Sequence, residues 1–191
     1  MTLTQSITRI ALATALLLLI PLVAMQFTKE VVWTLADFVF AAVVFFGAGL
    51  TYVLIARKWN STAYRMAVGV AVAAGFLLVW VNAAVGLIGS EDNPANLLYG
   101  GVLAVALSGA IAARFRPLGL SRAMFAAALT YVLVTVVALF VWKPTGTAAE
   151  PSVYLLNVLV ANGLLAALWV VSGLLFRRAS ATASNADRQL A

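Results

Sequence analysis

Long apolar stretches alternate along this chain with short polar or charged segments. Six of these stretches are near or above the length of about 20 residues that crosses a bilayer, and they predict transmembrane helices. The expected spans are about 10–28, 31–56, 66–88, 94–113, 123–142 and 153–176. The predicted fold is therefore all-α: a polytopic transmembrane bundle of six helices, with one domain over residues 1–178. Residues 179–191 are polar without an apolar face, which predicts a disordered tail.

The third predicted span carries small and polar residues at intervals of three, four or seven, the spacing that places them on one helical face. Small residues let another helix approach closely in a bilayer, and an asparagine among them can hydrogen-bond across the contact. We therefore expect this face to pack inside the bundle. Its residues are Ala67, Ala71, Gly75, Asn82, Gly86 and Gly89.

Composition supports the membrane assignment and excludes several chemistries. The chain is 64% hydrophobic and 9% charged, whereas soluble domains carry about 25% charged residues. It contains no cysteine and no histidine. The absence of cysteine excludes disulfides and thiolate metal sites. The absence of histidine excludes histidine-ligated haem or zinc and the usual general base near neutral pH. We predict no cofactor and no metal site.

The net charge of +6 comes from basic residues that flank the apolar spans. Such residues mark topology beside lipid headgroups, so we predict a lipid bilayer environment and no nucleic-acid partner. One side of the predicted topology holds ten of them and the other holds only Lys29 and Lys143. The positive-inside rule then places both termini in the cytoplasm. The ten are Arg9, Arg57, Lys58, Arg65, Arg114, Arg116, Arg122, Arg177, Arg178 and Arg188.

The first span admits two interpretations. A positive residue, Arg9, before an apolar core is also typical of a secretory signal peptide. The apolar stretch is long, and no pattern of small residues marks a cleavage site near Ala24 or Met25. These features favour a retained helix.

Few polar side chains fall within the predicted spans. Counting about 20 residues from each cytoplasmic arginine places Asp37 and Asn157 at the outer boundary. The same count places Asn82 about 5 Å and Asn162 about 8 Å beneath that boundary. Interhelical hydrogen bonding is the commonest use of such asparagines. Asp37 can lie in the headgroup layer or, if its helix tilts, within the membrane as a functional carboxylate.

Acidic and polar residues also gather at the predicted outer ends of the spans. They can form an acidic vestibule that attracts cations or a partner, although helix starts and solvated turns favour the same residue types. The residues are Asp37, Asn82, Glu91, Asp92, Asn96, Tyr99, Glu150, Tyr154 and Asn157.

The segment VNAAVGLIGSEDNPANLLYGGVLAV, from Val81 to Val105, carries a family resemblance. It resembles a group of uncharacterised small multi-span bacterial inner-membrane proteins. The resemblance implies a location in a bacterial inner membrane and no established activity. It therefore assigns no functional residues.

Three functions are compatible with these observations. The first is an accessory or interaction subunit, either as a homo-oligomer or with a membrane-protein partner. The second is a channel or carrier for a small cation or neutral solute, which Asp37, Asn82 and Asn162 would contact. The third, an intramembrane enzyme, is disfavoured because Asp37 with Glu91 or Asp92 is the only conceivable acid pair and no nucleophile accompanies it. We predict no enzymatic activity.

Overall fold

A computed structural model describes the backbone of residues 2–88, 93–141 and 151–190, and the side chains of 2–88, 93–140 and 156–184. Within these ranges the chain forms helices and turns, without strands. Six helical segments are long and apolar enough to cross a membrane, which confirms the predicted all-α, six-span fold. The elements are α1 (Leu3–Phe27), α2 (Leu35–Ala56), α3 (Thr62–Ala84), a 3₁₀ segment (Pro94–Tyr99), α4 (Gly100–Ala112), α5 (Pro117–Val141) and α6 (Pro151–Leu190).

The chain divides into two compact units, Met1–Ile55 and Ala56–Ala191, called here the N-terminal and C-terminal units. The expectation of a single domain stays a prediction. In the N-terminal unit, a capping box starts α1: Thr2 Oγ1 accepts a hydrogen bond from the Gln5 amide, and Gln5 Oε1 accepts one from the Thr2 amide. Helix α1 approaches α2 closely, since a Cβ at Gly49 would lie 2.7 Å from Ile10 Cγ2.

The helices of the C-terminal unit pack in a defined order. Helix α6 contacts both α3 and α5, and α5 also contacts α4. Small residues and backbone carbonyls lie at these contacts. Ser172 Oγ on α6 donates a 2.9 Å hydrogen bond to the carbonyl of Ala67 on α3, and neither residue is exposed. Ala67 thus lies at a helix contact of the kind that the small-residue face of α3 predicts.

Contacts on both sides of α5 follow the same principle. A Cβ at Gly109 on α4 would lie 2.7 Å from Ala123 Cβ on α5, so only glycine permits this approach. On the other side, Ser121 Oγ donates a 2.8 Å hydrogen bond to the carbonyl of Gly173 on α6. Close packing of small residues and a hydroxyl bound to a neighbouring backbone are the usual means of helix association in a bilayer.

Helix α3 ends four residues before the predicted boundary at Ile88. Gly86 lies in the following turn with φ 71°, a conformation that favours glycine. This differs from the expectation that Gly86 continues the small-residue face of the helix. Gly75 remains on α3, where an added Cβ would lie 3.5 Å from Leu103 Cδ2, an ordinary contact. Ala71 is half-buried on the same helix, and Gly89 lies outside the described residues.

The fourth helical segment begins with an asparagine cap followed by proline. Asn93 Oδ1 accepts a 2.9 Å hydrogen bond from the amide of Ala95, and Pro94 occupies the first helical position. At the other end of the chain, the backbone of α6 stays helical through Leu190. This differs from the disordered tail expected after Arg178. Four alanines between residues 179 and 186 account for it, because alanine has the highest helix propensity.

The turn between α4 and α5 is a Schellman motif without glycine. The Phe115 amide donates to the carbonyl of Ala110 and the Arg114 amide to that of Ile111. Arg114 and Phe115 have φ of 49° and 58°. These left-handed conformations are unfavourable for residues with a Cβ. The two hydrogen bonds nevertheless hold the turn in this form.

Candidate polar site

The buried side chain of Asn96, in the 3₁₀ segment, binds the backbone just after the end of α3. Asn96 Oδ1 accepts hydrogen bonds from the amides of Leu87 (3.0 Å) and Ile88 (2.9 Å). Its Nδ2 donates to the carbonyl of Ile88 at 3.3 Å. These bonds satisfy backbone groups of two buried residues that lie beyond the end of the helix.

Asn82, in the last turn of α3, holds the same turn from the other side. Its Nδ2 donates a 3.2 Å hydrogen bond to the carbonyl of Asn96, and its Oδ1 accepts one of 3.2 Å from the Leu87 amide. The structure therefore brings together two of the asparagines that the sequence selects. Both of them bind the amide of Leu87, just after the end of α3.

Asn162 on α6 is the centre of a second set of hydrogen bonds. Its Oδ1 lies 2.6 Å from the hydroxyl of Tyr99, 3.0 Å from that of Tyr131 and 3.3 Å from Thr135 Oγ1. Tyr99 and Tyr131 are fully buried, and Asn162 is 3% exposed. One amide oxygen thus connects the 3₁₀ segment, α5 and α6 within the helix bundle.

Every proton donor in this second set has an acceptor. Tyr99 and Tyr131 donate to Asn162 Oδ1, and Thr135 Oγ1 donates to the carbonyl of Tyr131 at 3.0 Å. Asn162 Nδ2 donates to the carbonyl of Val158 at 2.8 Å. A buried donor without an acceptor destabilises the folded protein. Because each of these donors has an acceptor, the arrangement stabilises the bundle.

The two sets adjoin at Leu87. Asn162 Nδ2 lies 3.5 Å from the Leu87 carbonyl oxygen, at the limit of a hydrogen bond. The Leu87 amide is bound by Asn82 and Asn96. We call the combined set the polar site; its side chains are those of Asn82, Asn96, Tyr99, Tyr131, Thr135 and Asn162.

Asp37 lies in the N-terminal unit, where its carboxylate is exposed. Asp37 Oδ2 accepts hydrogen bonds of 2.7 Å from both the amide and the hydroxyl of Thr34, and the Asp37 amide donates to Thr34 Oγ1 at 3.4 Å. This is a reciprocal cap at the start of α2, where a negative charge also interacts favourably with the helix dipole. These contacts give Asp37 a role in starting its helix.

The other predicted polar residues are not joined to the polar site by the described contacts. Asn157 lies on α6 with its side chain exposed. Glu91, Asp92 and Glu150 lie outside the described residues, and only the backbone of Tyr154 is described. The acidic vestibule therefore stays a prediction.

Sequence reasoning selected the asparagines of the polar site but missed the hydroxyls that bind Asn162. Tyr99 was selected only as part of the predicted acidic vestibule, and neither Tyr131 nor Thr135 was selected. The position of Tyr131 in the sequence could have indicated a buried hydrogen bond. Tyr131 lies nine residues into the fifth span after Arg122, about 13 Å deep by the helical rise, where a phenol needs a hydrogen-bond partner.

The polar site contains amides and hydroxyls alone, which can exchange hydrogen bonds with a neutral solute but offer no strong base or nucleophile. Among the residues that the structure describes, no group of three His, Cys, Asp or Glu side chains could hold a metal ion. No protein-family model, curated protein or solved structure matches the chain. The assignment to multi-pass helical membrane proteins rests on its six apolar helices.

Proposed function

We propose that this chain is an accessory or interaction subunit of a bacterial inner membrane, with both termini in the cytoplasm, rather than a solute carrier. The main support is that the side-chain amide of Asn162 already has hydrogen-bond partners within the protein. Its amide oxygen and nitrogen are occupied by Tyr99, Tyr131 and the carbonyl of Val158 at 2.6 to 3.0 Å. A solute could bind this amide only after those bonds were broken.

The distribution of charge supports the same proposal. Carriers of charged solutes usually keep ionisable groups near the middle of the membrane, where these replace part of the solute's hydration. The basic residues whose side chains are described on the helices of the C-terminal unit, Arg65, Arg122, Arg177 and Arg178, are all exposed. The buried interior of these helices is neutral.

The outward face of α4 supports an interaction role. Four small residues at intervals of four are all exposed on this helix, and Gly100 has no atom within 4 Å of an added Cβ. A row of this kind lets a second transmembrane helix approach closely. The residues are Gly100, Ala104, Ser108 and Ala112.

The test combines assembly state with transport. The full-length protein is purified in mild detergent, and native mass spectrometry determines whether it forms an oligomer or retains a stoichiometric membrane-protein partner. Ser108→Leu should weaken that assembly because it fills the row on α4. Leu133→Phe is the matched control, since it enlarges a side chain that is 54% exposed on α5.

Transport is measured in liposomes with a monovalent cation and with a neutral polyol. We expect assembly without flux. Flux that Asp37→Asn abolishes would instead favour the channel or carrier. A monomer without partner or flux would contradict the interaction role.

A further inference from the structure

The turn between α4 and α5 lies beside a cation from another segment of the C-terminal unit. Lys58 Nζ, after the end of α2, lies 4.8 Å from the centroid of the Phe115 ring, within the range of a cation–π contact. Phe115 stands between Arg114 and Arg116 in the sequence, and all three cationic side chains are exposed. One cation therefore lies over this half-buried aromatic ring, and two more adjoin Phe115 in the sequence.

A buried tyrosine on α3 binds the backbone of this turn. Tyr64 is fully buried, and its hydroxyl donates a 3.0 Å hydrogen bond to the carbonyl of Phe115. Its ring packs edge-on against Phe176, with centroids 5.3 Å apart. The turn is thus bound directly to α3 and, through Tyr64, indirectly to α6, whereas Arg114 and Arg116 are exposed.

The conformation of the turn is one that its residues do not prefer. Arg114 and Phe115 both have positive φ, and glycine would adopt these angles without steric cost. Strained residues of this kind persist where the surrounding structure holds them, often at binding sites. Here backbone hydrogen bonds and the Tyr64 hydroxyl hold Arg114 and Phe115 in this conformation.

The three cations have no carboxylate partner in the part of the C-terminal unit whose side chains are described, because those residues include neither Asp nor Glu. They lie at the ends of apolar helices: Lys58 follows α2, Arg114 follows α4, and Arg116 precedes α5. Anions at this level of a bilayer are lipid phosphates. Arginine binds phosphate through paired N–H groups, and basic pockets beside transmembrane helices bind anionic headgroups.

We propose that Lys58, Arg114 and Arg116 form a binding site for the headgroup of an anionic phospholipid. The cations bind the phosphate, and the Phe115 ring provides apolar contact for the adjoining part of the lipid. The apolar ring and the position at the helix ends favour a lipid over a free phosphate. This site is independent of the accessory role proposed above.

The test measures binding of labelled phosphatidylglycerol to the full-length protein in nanodiscs of phosphatidylcholine. Arg114→Gln with Arg116→Gln should lower the affinity about fivefold for each charge removed. Arg177→Gln with Arg178→Gln removes the same charge from α6 and should have little effect. Equal losses in the two double variants would overturn a localised site in favour of general surface attraction.

Tyr64→Phe tests the fixed turn without changing charge. It removes the hydrogen bond to the Phe115 carbonyl and should weaken phosphatidylglycerol binding severalfold, with circular dichroism showing retained helix content. Unchanged affinity in a folded variant would contradict a preorganised site. Inorganic phosphate is added to phosphatidylcholine nanodiscs as the second ligand. If it binds as tightly as the labelled lipid, the site belongs to a soluble phosphate.

Discussion

The hydroxyl of Tyr99 donates a 2.6 Å hydrogen bond to Oδ1 of Asn162, a residue 63 positions further along the chain. Both side chains are buried. The bond joins the 3₁₀ segment to α6, and Tyr131 on α5 donates to the same oxygen. A single amide therefore specifies how three segments of the C-terminal unit are arranged.

Replacing that amide should destabilise the bundle. Asn162→Leu leaves the hydroxyls of Tyr99 and Tyr131 without their acceptor, and we expect a loss of about 1–3 kcal/mol in the free energy of unfolding. Chemical unfolding in detergent measures it. Asn157→Leu, one and a half turns earlier on α6 with an exposed side chain, is the control and should change stability little. Equal effects would show that the hydrogen bonds do not contribute.

The turn after α3 should require glycine at one position. Gly86→Ala places a Cβ on a residue with φ 71° and should cost about 1 kcal/mol or more. Gly75→Ala serves as the control, because its added Cβ would meet Leu103 Cδ2 at an ordinary 3.5 Å. Thermal unfolding of both variants makes the comparison. Unchanged stability of the Gly86→Ala variant would mean that the turn adopts another conformation.

Two glycines of α4 should respond in opposite directions to the same change. Gly109→Ala would bring a Cβ within 2.7 Å of Ala123 Cβ and, by forcing α4 from α5, should cost about 1–3 kcal/mol. Gly101→Ala has open space around it and should stabilise the helix by roughly 0.5–1 kcal/mol. Denaturation midpoints measured in detergent show whether each variant is more or less stable than the unmodified protein. Two changes of the same sign would contradict the described contact between α4 and α5.

Arg114 occupies a position that glycine would suit better. Arg114→Gly should stabilise the protein by up to about 1 kcal/mol, because the left-handed conformation no longer carries a Cβ. Arg116→Gly removes the same charge at a residue without positive φ and should be neutral or destabilising. The comparison is made in detergent without anionic lipid. A loss of stability in Arg114→Gly would mean that the arginine side chain itself holds the turn.

Much of the fold follows from local pattern. Apolar length predicted the six spans, and short-range interactions account for the Asn93 cap and for the hydroxyl bonds of Ser108 and Thr130 to their own helices. Each of these features depends on residues close in sequence. Local pattern also explains the error at the end of α3, since an apolar run continues through Ile88 although the helix stops at Ala84.

The polar site could be predicted only in part. The asparagines were visible because strong polar groups are rare in apolar spans. Their partners were not, because Tyr131 and Thr135 lie 31 and 27 positions from Asn162. Sequence alone does not show which helices are neighbours. The order α3, α6, α5, α4 is what brings these hydroxyls to the amide.

The polar site joins its helices through amides and hydroxyls, none of which gains or loses a proton under ordinary conditions; free tyrosine ionises only at about pH 10. The attachment between these helices therefore does not weaken when the medium on either side of the membrane turns acidic. A bundle joined in this way keeps the same internal arrangement while a proton gradient rises or collapses across it.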